Sequence, residues 1–201
     1  PKKFNEISGR DCGDNVILAI HKAIAMKFRK VKINTVLIKG FNDMEFPAFL
    51  ALVQKTKISL RFIELMPTSE NKHFFDKHYL SSQVWMKNLK EMDWTQVKKE
   101  RDVGPAIEFA HPESNGQIGF ITPFQNTFCE TCNRLRISSK GALRLCLFGT
   151  GEVSLRHFLQ EDFQKDLLLQ EIEKLIFFKR PSHFLNQGDS GETRSFSNIG
   201  G

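Results

Sequence analysis

Three of the four cysteines fall in one short stretch, Cys129, Cys132 and Cys146, interleaved with Arg134, Arg136 and Arg144. Thiols at this spacing can grip a metal, and neighbouring guanidinium groups favour thiolates and attract an anionic ligand. Three readings of the thiols stay open. A structural zinc site needs a fourth ligand; no second Cys-x-x-Cys occurs, so His157 is the candidate. A cubane iron-sulfur cluster on three cysteines would leave one iron free to bind a substrate. The third reading is inert, buried cysteines. A disulfide is not expected in a reducing compartment.

A β-hairpin is the element that must position these groups. Leu135 and Ile137, then Leu143, Leu145 and Leu147, alternate along two short runs separated by Ser139, Lys140 and Gly141. If those three residues form the loop, with Gly141 left-handed, Ser138 faces Ala142 and Arg134 faces Cys146. The even positions Cys132, Arg134, Arg136, Arg144 and Cys146 then share one wet face while the leucines cover the core. Cys129 joins them through the Cys-x-x-Cys turn.

The 201 residues, 40% of them hydrophobic, suffice for one domain or two small ones. No apolar run is long enough to span a bilayer and no signal-peptide pattern opens the chain, so a soluble cytosolic protein is expected. Twenty-nine Lys and Arg against 23 Asp and Glu give a formal charge of +6, which suits an anionic partner such as a nucleotide triphosphate. The lysines are scattered and no basic run is interleaved with aromatics, which argues against nucleic acid.

The chain starts at Pro1 in mid-pattern, as the interior of a longer protein would. From Asp14 the residues Val16, Ile17, Ile20, Ile24 and Phe28 keep helical spacing, with Asp11 or Asp14 as cap. Cys12, remote from the other thiols, reads as a packing residue. A buried strand at 31–38, a helix at 45–55 and a second strand at 60–66 make a βαβ unit of a parallel α/β barrel or open sheet. Lys32 and Asn34 on the first strand, and Glu64 and Met66 on the second, interrupt apolar runs, although a solvated strand end and a gap-filling methionine explain Lys32 and Met66 equally simply.

After Pro67 a polar loop marks a domain boundary, and His73 and His78 read as surface residues. A helix follows at 80–92 with Val84, Trp85, Leu89 and Met92 inward. Two antiparallel strands, 106–110 and 117–122, lead into the cysteine hairpin. Helices are expected at 152–159 and 163–178. The tail from Lys179 is poor in core residues and reads as an extended, disordered end.

The run Cys129-x-x-Cys132-Asn-Arg-Leu-Arg followed by Cys146 resembles the C-terminal cluster motif of the GTP 3',8-cyclases, the radical S-adenosylmethionine enzymes that begin molybdenum cofactor synthesis. Val31-Lys-Ile-Asn34 and Arg61-Phe-Ile-Glu-Leu-Met-Pro67 look like that family's late barrel strands, and Ser197-Asn-Ile-Gly-Gly201 looks like its double-glycine tail. The resemblance runs through essentially the whole chain.

The resemblance implies an α/β fold: residues 1–67 as the C-terminal part of an incomplete radical S-adenosylmethionine barrel, and 68–201 as a small α+β domain with an antiparallel sheet. It implies that Cys129, Cys132 and Cys146 hold a [4Fe-4S] cluster that binds guanine through its free iron. Lys32, Arg134, Leu135 and Arg136 would bind GTP, Met66 would contact S-adenosylmethionine, and Gly200 and Gly201 would enter the active-site pocket and assist radical formation. Asn34, Arg61 and Glu64 would line the barrel as supports. Phe196 stands where the family commonly has methionine.

In that family a first [4Fe-4S] cluster, on a Cys-x3-Cys-x2-Cys motif, reduces S-adenosylmethionine to a 5'-deoxyadenosyl radical. The radical takes hydrogen from the ribose C3' of GTP, and the carbon radical attacks guanine C8. These residues contain no such motif, so the expectation is a C-terminal portion that binds the second cluster and GTP, partnered by an N-terminal barrel half and inactive without it. A homodimer is admissible, and a zinc-stabilised binding module is the alternative.

Overall fold

A computed structural model describes residues 2–98, 104–125, 127–130, 132–149, 151–189, 191 and 193–196, with only the backbone of Thr127. Gly200 and Gly201, and the tail motif from Ser197, lie outside the described residues. The chain divides into two compact units, one of Pro1–Leu65 with Lys77–Thr122 and one of Met66–Asp76 with Pro123–Gly201.

The elements begin with helices α1 (Lys2–Ser8) and α2 (Gly13–Ala25), then strand β1 (Val31–Leu37), helix α3 (Phe46–Lys55) and strand β2 (Ile58–Glu64). Neither Asp11 nor Asp14 caps α2; its first residue's N–H, on Gly13, is taken by the Asn5 side-chain carbonyl at 2.9 Å, so one helix caps the next. β1 and β2 pair in parallel from Val31 with Ile58 through Leu37 with Glu64, as the strand-helix-strand spacing predicts. β1 departs from the expected buried strand: Lys32, Asn34 and Val36 are exposed on one face, because β1 is the outermost strand of its sheet among the described residues.

After Pro67 the expected loop contains a helix, α4 (Lys72–His78), followed by α5 (Gln83–Glu91). Trp85, Met86 and Leu89 on α5 are buried, while Val84 and Met92 point outward, since the helix starts later and its apolar stripe is narrower than the sequence suggests. Strands β3 (Thr95–Gln96), β4 (Ile107–Ala110) and β5 (Gln117–Ile121) complete a five-stranded mixed sheet in the order β1-β2-β5-β4-β3.

The antiparallel pairing of β4 with β5 agrees with expectation, yet both belong to the sheet of the βαβ unit and not to the cysteine hairpin. β5 runs parallel to β2, Ser59 opposite Gln117 through Ile63 opposite Ile121. The reason is burial. That pairing places Ile118 and Phe120, both fully enclosed, beside Leu60 and Phe62 in one apolar core with Trp85 and Leu89. Each such side chain contributes about 1.5–3 kcal/mol on leaving water. Phe62 is the hub, with ring centroids 4.8 Å from Trp85, 5.2 Å from Phe49 and 5.7 Å from Phe120.

The second unit has a separate three-stranded antiparallel sheet, β6 (Arg136–Ile137), β7 (Ala142–Arg144) and β8 (Val153–Ser154), with helices α6 (Thr127–Glu130) and α7 (Lys165–Phe177). The helix expected at 152–159 is instead β8 followed by a single 3-10 turn, Arg156–Phe158, because Val153 pairs with Leu143 and extends the hairpin by one strand. The described part of the tail, 179–189, 191 and 193–196, is packed and not extended. His183, Leu185 and Thr193 are buried, and the Thr193 hydroxyl donates to the Leu147 carbonyl at 2.6 Å. Phe196 lies edge-on to Phe148 with centroids 5.8 Å apart. No helix among the described residues is long and apolar enough to cross a membrane.

Candidate functional site

The hairpin forms in the expected register. Arg136 pairs with Arg144 and Ile137 with Leu143, and the Ser138 N–H reaches the Ala142 carbonyl at 2.9 Å. Gly141 takes φ +72, which a side chain there would resist, and its N–H returns to the Ser138 carbonyl at 2.9 Å. The ladder ends at Arg136 and Arg144, so Arg134 and Cys146 lie beyond it on loops.

Cys129 sits in α6, and the Cys132 N–H donates to the Cys129 carbonyl at 3.0 Å, closing the Cys-x-x-Cys turn. Cys146 follows β7 and its carbonyl accepts from the Gly149 N–H at 3.3 Å. All the cysteines are free thiols. Burial pushes the Cys129 thiol up, and the charges of Cys146 and Cys132 push it the same way. The His183 backbone N–H and the Ser182 hydroxyl oppose this as donors to its sulfur. The Cys129 sulfur therefore lies in the field of Cys132 and of Cys146. Among the described residues, however, no three Cys, His, Asp or Glu side chains are gathered closely enough to hold a metal ion, and His157 is not joined to the thiols in such a group. The His157 ring packs instead on Phe158, with centroids 3.9 Å apart.

The basic residues separate into two kinds. Arg136 is half-buried; burial lowers its pKa first, Arg134 and Arg144 add to this, and Cys132 and Cys146 act in the opposite sense. Arg136 thus shares a neighbourhood with two thiols and two other guanidiniums. Arg144 departs from the wet face that alternation assigns to it. It is buried, paired with Glu152 at 3.2 Å, and donates to the Gly149 carbonyl at 3.1 Å and the Thr193 hydroxyl at 3.4 Å, with its Nε unpartnered among the described residues. Conversely Ile137 is exposed and Leu135 borders on it, while Leu143 is buried. Alternation sorts residues into faces but does not say which face another segment will cover.

The remaining predicted residues fall as follows. Met66 is half-buried and its carbonyl accepts from the Asn71 amide at 3.1 Å. Lys32 belongs to the first unit, whereas Met66, Arg134, Leu135, Arg136 and the three clustered cysteines belong to the second. Arg61 and Glu64 are engaged within the first unit. Arg61 donates to Glu108, and Glu64 accepts from the Ser82 N–H and hydroxyl, both at 2.8 Å.

Sequence reasoning missed Lys179, Ser182 and His183. The Lys179 ammonium donates to the carbonyls of Cys132 and Arg134, each at 2.9 Å, and lies 3.6 Å from the Cys132 sulfur. His183 accepts the Leu185 N–H on Nδ1 at 3.1 Å, and burial lowers its pKa against the influence of the Pro123 carbonyl. Rings of Phe128 and Phe148 enclose it at 5.8 and 5.2 Å. A polar segment 47 or more residues from Cys132 carries no local signal that it returns to the thiols.

Fold and site together define a mixed α/β protein whose smaller sheet carries a thiol-rich, guanidinium-rich turn. Residues 58–185 match the Molybdenum Cofactor Synthesis C family, and the chain belongs to it. All 201 residues align at 44% identity with the GTP 3',8-cyclase of Haemophilus influenzae, and the chain spans 60% of that protein's length.

Proposed function

We propose that this chain is the C-terminal portion of a GTP 3',8-cyclase and supplies the GTP-binding part of its active site. The support is whole-length similarity to a cyclase and the family match over 58–185, together with the charges of Cys132 and Cys146 that act on both Cys129 and Arg136. The donor chemistry suits a [4Fe-4S] cluster: soft thiols, with hydrogen-bond donors on two of the sulfurs. Cys129, Cys132 and Cys146 would hold it, and when bound it would offer an open iron to the guanine base.

Arg134 and Arg136 would bind and orient the triphosphate, for which the planar guanidinium fork gives paired, charge-assisted hydrogen bonds. Leu135 stands between them, so its backbone sets the distance between the two forks. By the family resemblance Lys32 would also bind GTP, and Met66 would contact S-adenosylmethionine. In this reading β1 and β2 are late strands of a radical S-adenosylmethionine barrel. The S-adenosylmethionine-cleaving cluster belongs to the rest of the enzyme, which acts in the cytoplasm. Gly200 and Gly201 would approach the substrate through backbone alone, since side chains there would crowd it.

Anaerobic reconstitution with iron and sulfide tests the reading, followed by iron, sulfide and zinc analysis and by GTP titration. Iron and sulfide in equal amounts, with GTP bound in preference to ATP, are the expected result. One stoichiometric zinc without sulfide would replace this reading with a zinc-stabilised binding module.

A further inference from the structure

The Phe178 and Lys179 N–H groups close the end of α7 on the carbonyls of Leu175 and Ile176, at 3.0 and 2.9 Å. From that fixed point the Lys179 side chain reaches back 45 to 47 residues to one short turn. Its ammonium meets the Cys132 carbonyl, the Arg134 carbonyl and the Cys132 sulfur. An ammonium has three donors, and all three have partners here.

Residues 132–135 have no regular secondary structure, so their carbonyls lack ladder partners, and Lys179 satisfies two of them. Other lysines behave differently. Lys87 and Lys174 are exposed and pair with Glu91 and Glu171, the ordinary use of a surface lysine. Among the described residues no carboxylate pairs with Lys179, so its charge is directed at the turn.

We propose that Lys179 is the positioning residue of this site: it locks Cys132 and Arg134 onto one frame, so that a thiol ligand and a nucleotide-binding guanidinium keep a fixed separation. The frame stands on the geometry; the nucleotide role of Arg134 rests on the function proposed above.

Lys179→Met and Lys179→Arg variants of the full chain test this, with Lys174→Met as a surface control and far-UV circular dichroism to confirm folding. In the metal-free chain, amide hydrogen exchange across 132–136 is expected to quicken at least tenfold in Lys179→Met and to stay near wild type in Lys179→Arg and Lys174→Met. GTP is expected to bind about tenfold more weakly to Lys179→Met and near wild type to Lys179→Arg and Lys174→Met. Unchanged exchange in Lys179→Met would overturn the frame. A wild-type chain that binds no GTP would refute the proposed function, leaving the exchange measurement to decide the frame.

Discussion

Arg61 and Glu108 meet across Gly119. Arg61 on β2 and Glu108 on β4 are both register partners of Gly119 on the intervening β5. The guanidinium reaches over the glycine to the carboxylate, with Nη2 at 2.5 Å and Nε at 3.1 Å. The Ser59 hydroxyl adds a third bond at 3.1 Å. A Cβ on Gly119 would stand 3.2 Å from Arg61 Cγ and 3.4 Å from Glu108 Cγ, so the glycine is what leaves room for the pair.

Two changes test that arrangement. Gly119→Val should destabilise the first unit by about 1–3 kcal/mol through overpacking. Glu108→Ala should cost roughly 3 kcal/mol by stranding a buried guanidinium. Both losses are read as the shift in the urea midpoint of tryptophan fluorescence, since Trp85 and Trp94 lie in this unit.

The same carboxylate predicts an acid dependence. Burial alone would raise the Glu108 pKa, but the Arg61 hydrogen bonds and charge, with help from Lys30 and Ser59, take it below its ordinary value of 4.5. A carboxyl depressed in the folded state adds stability above its unfolded pKa and loses it as pH falls through the folded one. Unfolding free energy should therefore be level on this account above pH 4.5 and fall below it. A Glu108→Gln variant measured from pH 6 downward should lose that part of the slope.

Tyr79 offers a direct titration, because it is the single tyrosine of the chain. Burial, then the charge of Glu64 and a 3.3 Å hydrogen bond to it, push its phenol from 10.0 up to about 12. Absorbance of the phenolate should rise with a midpoint near 12 in the folded protein and near 10.0 in urea. The phenol's contribution to stability is intact below pH 10.0 and lost as pH climbs toward about 12. Glu64→Gln should bring the midpoint down, and an unmoved midpoint would contradict the contact.

The aromatic hub gives the largest expected loss. Phe62 is fully buried among Phe46, Phe49, Trp85 and Phe120. Phe62→Ala should cost about 3–5 kcal/mol from lost burial and a residual cavity. Calorimetry should show the first unit's transition lowered by roughly 10 °C, at about 2–4 °C per kcal/mol.

Under the proposed function, GTP titration should separate the arginines. Arg136→Ala and Arg134→Ala should each weaken GTP binding about 10- to 100-fold, the worth of a charged hydrogen bond. Arg136→Lys should recover only part of it, because a point charge cannot reproduce the fork. Arg144→Lys should leave GTP affinity nearly unchanged while lowering stability, since that side chain is buried against Glu152 and Thr193. Isothermal titration with GTP and a thermal melt distinguish the two outcomes.

Local chemistry already determined the hairpin. Alternation, three loop residues and a glycine able to take φ +72 specify the register of Arg136 with Arg144 before any tertiary contact exists. The βαβ unit was legible for a similar reason, since an apolar run, a helical stripe and a second apolar run at that spacing admit few connections. The family was legible from the resemblance of four motifs, the cysteine run, the two strands at 31–34 and 61–67, and the glycine tail, whereas spacing alone left the thiols' role open. Tertiary structure alone decided the rest. A period of two does not say that Arg144 goes inside and Ile137 outside, and no propensity says that β5 will lie beside β2 rather than beside the cysteine hairpin. Nor does a polar tail announce that Lys179 returns to Cys132. Each outcome depends on which distant segment removes a surface from water, and that competition among non-local contacts is settled only when the whole chain is packed.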